Sequence, residues 1–169
     1  MELLLALMDA ANAIGYQVYV PDYGGTRTAA QQSALYSDAL AQGGGTDTAY
    51  AVAKPGHSRH EYGAAFDLQI FGGGHASGGK EGTDVDYKIL ADLAENLGLV
   101  GGYYFAARGV GKKDPFHFQL NEALSTSVAR WQAMKAAGIQ STREVLLARS
   151  RSLHSSASPS GSSRGNSNA

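Results

Sequence analysis

The chain has 169 residues, 43% hydrophobic and 17% charged, with 14 basic residues against 15 acidic ones. That length suits one globular core, and a formal net charge of -1 gives no positive field to gather nucleic acid or an anionic membrane surface. Cysteine is absent, which excludes a disulfide, a thiol nucleophile and a thiolate ligand, so any metal must rest on histidine and carboxylate.

Leu4, Leu7, Met8, Ala11 and Ile14 recur at helical spacing and predict an amphipathic first helix. Asp9 and Asn12 interrupt the run of about 20 apolar residues that a membrane span needs. No Lys or Arg precedes Arg27, so the charged start of a secretory signal is missing. The expectation is a chain without a membrane span, made in the cytoplasm without a signal peptide. Tyr16 to Val20 reads as a short strand, stopped by Pro21 and a Gly24-Gly25 turn. Residues 28–41 predict a second helix with Leu35, Tyr36, Ala39 and Leu40 on one side, and Gly45 to Gly56 a loop.

Ala64 to Ile70 predicts one apolar strand containing Asp67, followed by a mobile glycine-rich loop from Gly72 to Gly79. Asp84 is expected to cap a helix from Val85 to about Leu97 that stops at Gly98. Tyr103 to Phe105 and Phe116 to Leu120 suggest two more strands. Asn121 is the expected cap of a helix through Lys135 that stops at Gly138, and Ser141 with Glu144 has the capping spacing of a short last helix. Residues 150–169 are dominated by Ser and offer little to bury. They predict a disordered tail behind a single domain of residues 1–149.

Two segments carry candidate chemistry. In the first, His60 precedes a glycine turn at Gly63, and Asp67 lies in the strand that follows. A buried carboxylate needs a cation, donors or a metal beside it. In the second, Asp114-Pro115-Phe116-His117-Phe118, a histidine sits in an aromatic strand with a carboxylate three residues earlier. Three His and Asp ligands with one position open to water is the arrangement of catalytic zinc, and a nearby carboxylate can take the proton.

Ser58, His60, Gly63, Ala65 and Asp67 reproduce the S-x-H-x-x-G-x-A-x-D signature of the zinc D-Ala-D-Ala carboxypeptidases, the VanY-like family that also includes the L-alanyl-D-glutamate endopeptidases of phage endolysins. Arg27-Thr28 followed by Gln32, Leu35 and Tyr36 resembles that family's R-[ST]-x-x-x-Q-x-x-L-Y element, and Asp114 with His117 resembles its D-x-x-H ending. The resemblance runs from about Tyr16 to Leu120.

It implies an α+β fold of the Hedgehog/DD-peptidase type, with helices packed on a small antiparallel sheet that carries the zinc ligands. It implies His60, Asp67 and His117 as ligands of Zn2+, Asp114 as catalytic base, and Arg27 as a cation that steadies substrate or oxyanion. Ser58 and Gln32 are implied as substrate-binding residues. Gln119 departs from the pattern, since many relatives carry an acidic residue there. His57, His75 and His154 are expected to stay outside the metal site; His75 is expected as a solvated residue of a flexible glycine loop, of the kind that can close over a cleft.

The expected substrate is a peptidoglycan stem peptide, cut by a monomeric enzyme. The D-x-x-H form resembles the L-alanyl-D-glutamate endopeptidases more than the carboxypeptidases, and the missing signal peptide favours a phage lysin released by a partner or carried in a virion. The alternatives are a D-alanyl-D-alanine carboxypeptidase and, in another class, an inactive zinc-stabilised wall-binding or virion module.

Overall fold

The computed structural model describes residues 2–44, 52–72 and 82–137, and its helices pack around two small antiparallel sheets. Helix α1 (Glu2–Ala13) buries Leu4, Leu7 and Ala11, with Met8 and Ile14 packed at the edge of the core, as the helical spacing requires. Strand β1 (Gln17–Tyr19) follows. Helix α2 (Ala29–Ala41) starts behind Thr28, whose hydroxyl accepts from the Gln31 N–H at 3.1 Å while the Gln31 side chain accepts from the Thr28 N–H at 2.8 Å. This reciprocal cap fixes where the helix begins, two residues after Arg27. The inward face of α2 differs from the expected one: Gln32 and Ala39 are buried, whereas Leu40 is 50% exposed. The helix packs a polar position inward because Gln32 finds partners there, described below.

The stretch Ala64 to Ile70 is two strands rather than one. β2 (Ala65–Asp67) and β3 (Gln69–Gly72) belong to different sheets. The break falls at Leu68, fully buried, whose N–H bonds to the Phe116 carbonyl at 2.9 Å, next to an Asp67 N–H drawn to the Gly24 carbonyl at 2.7 Å. Before it the chain pairs with one sheet and after it with β1, which lies antiparallel to β3.

Helix α3 (Asp84–Asn96) is capped by Thr83, not Asp84. Asp86 is fully buried, and its carboxylate accepts from the Thr83 N–H and hydroxyl, both at 2.8 Å, and from the Tyr16 hydroxyl at 2.9 Å. That box sets the helix start one residue early and leaves Asp84 exposed, paired with Lys113. Strand β4 (Leu99–Gly101) precedes the position expected for a strand at Tyr103 to Phe105. Gly102–Tyr104 instead form a 3-10 turn, because the Gly102 carbonyl accepts from both the Phe105 and the Asp114 N–H, at 3.1 and 2.9 Å, and curls the chain. Strand β5 (His117–Leu120) lies between β2 and β4. Helix α4 (Leu124–Ala136) begins after Ala123 without a side-chain cap, so Asn121 does not cap it.

The core gathers α1, α3 and both sheets around Leu4, Leu7, Leu68, Leu90 and Phe118. Phe118 stacks on Phe66 across β2 and β5, ring centroids 5.9 Å apart. The glycine-rich loop after Gly72 with His75, the Gly138 stop, the helix expected at Ser141 and the tail at 150–169 lie outside the described residues. Among the described residues no helix is long and apolar enough to cross a membrane.

Candidate active site

Strand register brings the first two candidate residues together, since Asp67 on β2 is the direct antiparallel partner of His117 on β5. The third arrives on the 3-10 turn Arg59–Tyr62, which is closed by Gly63 in the left-handed conformation, φ +60. Glycine takes that conformation without strain. His60 Nε2 and His117 Nδ1 stand 3.2 Å apart, and each is 3.3 Å from Asp67 Oδ1. The far ring nitrogens are tied elsewhere: His60 Nδ1 to the Gly25 carbonyl at 3.0 Å, and His117 Nε2 to Gln119 Oε1 at 3.1 Å. In the neutral rings, N–H groups donating to those two oxygens leave both inner nitrogens with lone pairs, the orientation that outer partners impose on metal-binding histidines, whereas a protonated ring donates to Asp67 Oδ1 as well.

The loop from Tyr23 to Arg27, expected only as a turn, organises this cluster. Gly24 accepts from the Asp67 N–H, Gly25 holds His60, and the Arg27 N–H donates to the His60 carbonyl at 3.1 Å. Arg27 Nη2 donates to Asp67 Oδ2 at 2.9 Å, Nη1 to Gln32 Oε1 at 3.3 Å, and Nε to the Tyr23 carbonyl. Gln32 in turn donates to the Ala53 carbonyl at 2.7 Å. Gln32 was expected to touch substrate; the structure instead buries it fully behind Arg27, where it steadies the guanidinium and does not line the cleft.

Burial alone would raise the pKa of Asp67, but hydrogen bonds from His117 and His60 hold it well below the usual carboxylate range. Burial also disfavours charge on His117, yet the Asp67 carboxylate outweighs it and raises the imidazole above its ordinary value. For His60 burial wins and its pKa is lowered. Desolvation likewise lowers Arg27 against the pull of Asp67 and Asp114.

Asp114 retains contact with solvent at the cleft, and desolvation by the surrounding wall raises its pKa. Its place depends on a residue that the sequence reading missed. A Cβ on Gly102 would lie 2.4 Å from the Asp114 carbonyl oxygen and 3.1 Å from His117 Cβ, so only glycine lets the 3-10 turn that follows β4 approach the Asp114–His117 segment this closely. Gly102→Ala is expected to destabilise the protein by about 1–3 kcal/mol and to weaken zinc binding, read by thermal melting and chelator competition. The repeated Gly101-Gly102 is the signal that could have revealed it.

The trio borders a cleft of about 360 Å³, which Arg27, Ser58 and Asp114 also line. Of the sequence candidates, six therefore meet at one cleft, and Gln32 stands behind it. Among the described residues His60, Asp67 and His117 form a group able to hold a metal ion, their ligand atoms all within 4.8 Å of one another. His57 lines the cleft without joining that group.

A family model for VanY, D-alanyl-D-alanine carboxypeptidase, matches residues 1–121. The chain belongs to the VanY family. It is thus a zinc-dependent peptidase that acts on peptidoglycan peptides of the cell wall. Solved VanY-type structures share its α+β fold. VanYB in complex with D-alanine-D-alanine is 22% identical, with 78% of this chain and 74% of that one covered and a TM-score of 0.52. A vancomycin-resistance D,D-pentapeptidase VanY from a VanB-type cassette, solved with Zn(II), is also 22% identical, covering 78% and 75% at 0.53. DacB from Streptococcus pneumoniae is 23% identical, covering 82% and 74% at 0.53. No curated protein matches the chain by sequence.

Proposed function

We propose that the protein is a zinc endopeptidase that cuts the L-alanyl-D-glutamate bond of peptidoglycan stem peptides, with His60, Asp67 and His117 as the ligands. The observation that carries this reading is the convergence of two imidazole nitrogens and one carboxylate oxygen at a cleft whose wall also presents Asp114. The donor set fits zinc: three nitrogen and oxygen donors, with both outer histidine nitrogens already oriented. When bound there, zinc supplies Lewis acidity for the scissile carbonyl and for a water.

The remaining steps belong to the chain. The Asp114 carboxylate takes a proton from the attacking water and returns it to the leaving nitrogen, and a raised pKa suits the second task. Arg27 fixes Asp67 Oδ2, which leaves Oδ1 facing the histidines, and sets positive charge beside the reacting carbonyl. Ser58 lines the substrate side. Residues 1–149 form the monomeric peptidase domain in this reading, and 150–169 its tail.

The choice of bond rests on the Asp114-Pro115-Phe116-His117 form of the last motif. A second reading, D-alanyl-D-alanine carboxypeptidase, is favoured by the description of the matching family and by the D-alanine-D-alanine bound to VanYB. Purified peptidoglycan digested with the zinc-loaded protein is expected to yield new D-glutamyl amino termini by mass spectrometry, and chelation is expected to stop the reaction. Release of free D-alanine instead would establish the carboxypeptidase. Cosedimentation with walls that stay intact at every pH would leave a binding module.

A further inference from the structure

Two guanidinium groups line the cleft, those of Arg27 and Arg59, and they are not equivalent. Arg27 is committed to Asp67, Gln32 and the Tyr23 carbonyl, and its side chain is only 14% exposed. Three of its five N–H donors are thereby taken, and Asp67 offsets its charge. Arg59 is half-buried on the turn that carries His60, one residue before it. Among the described residues no carboxylate lies within ion-pairing distance of it; Nη1 donates to Ser127 Oγ at 3.4 Å.

We infer that Arg59 is the receptor for a carboxylate of the substrate, held at the cleft by α4. The brace is explicit. Ser127 is fully buried, and its hydroxyl donates to Glu122 at 2.7 Å, while Glu122 also receives Arg130 Nη2 at 2.8 Å. Arg130 is the direct ion-pair partner of Glu122, which Arg59 meets only through Ser127 and at longer range, so the chain of bonds positions Arg59 and leaves it without a direct ion pair. Trp131 supplies a second anchor, its ring 3.3 Å from where a Cβ on Gly63 would stand. All four of these α4-side residues lie beyond the family match at 1–121. With Arg27 held by Asp67, Arg59 is the cleft guanidinium without a direct carboxylate partner among the described residues, and guanidinium to carboxylate is the strong, directional form of contact with an anionic peptide.

The ligand class is a peptide with a carboxylate close to the scissile bond. In stem peptides either the D-glutamyl α-carboxylate or the terminal D-alanine supplies one. The inference rests on the peptidase reading above, and its test avoids turnover. Zinc-loaded Asp114→Asn protein is titrated by calorimetry with the pentapeptide L-alanyl-γ-D-glutamyl-L-lysyl-D-alanyl-D-alanine and with its two singly amidated forms. Adding Arg59→Gln is expected to weaken binding of the free acid roughly 10- to 100-fold. Amidating one of the two carboxylates is expected to weaken binding to the parent by a similar factor and to add nothing in Arg59→Gln. Which amide does so names the carboxylate. Equal binding by both proteins, or losses that simply add, would overturn the assignment. Arg59→Met, which keeps most of the side-chain volume and removes the charge, carries the same cycle if Arg59→Gln melts early. Failure of the wild type to cleave would remove the peptidase reading and leave this binding result intact.

Discussion

Asp114→Asn is expected to fold, to take up stoichiometric zinc, and to hydrolyse stem peptides roughly 100- to 10,000-fold more slowly than the wild type. Asparagine keeps the shape and the backbone bond to Gly102 but cannot accept a proton. Asp114 is not in the group that can hold the ion, so elemental analysis separates loss of the base from loss of the metal. The pH profile adds an independent check. Desolvation by the cleft wall raises the pKa of Asp114, and the reaction needs its ionised form, so kcat/KM falls as pH drops through a value above the ordinary 3.8. The residual activity of Asp114→Asn lacks that limb. A variant with wild-type turnover would take Asp114 out of the mechanism.

The sequence made the candidate metal group legible because its spacing survives without structural context: His60, Gly63 and Asp67 sit on one turn and strand, and Asp114 with His117 on another. Where the reading went wrong, partners distant in sequence decided the outcome. Leu68 ends a strand because the Phe116 carbonyl lies beside it. Thr83 replaces Asp84 as a cap because Asp86 is buried against Tyr16. Gln32 resembles a substrate residue by spacing, yet Arg27 and Ala53 enclose it. Gly102 gave no conformational signal, because its need is close approach rather than a positive φ. Local pattern specified the groups with chemistry, and packing between segments specified what each one touches.

That interplay gives the other large effect, at Asp67. Asp67→Ala is expected to abolish stoichiometric zinc binding and also to destabilise the metal-free protein by about 3–5 kcal/mol, because it leaves a buried guanidinium without its counter-charge. Arg27 and Asp67 side chains are only 14% and 19% exposed at their 2.9 Å contact, so water cannot take over the role of the carboxylate. The folded-state pKa of Asp67 is depressed, which means its contribution is fully present above the unfolded value near 3.8 and is lost as pH falls through the lower folded value. Urea titrations of the metal-free proteins should therefore show the full gap at neutral pH, and a narrowing gap in progressively more acidic buffer. Arg27→Met combined with Asp67→Ala should recover much of the stability without recovering zinc, since an apolar pair of similar volume replaces a charged one. A gap that ignores pH, or a double variant no more stable than Asp67→Ala, would show that Asp67 acts on the fold through something other than Arg27 and the two histidines.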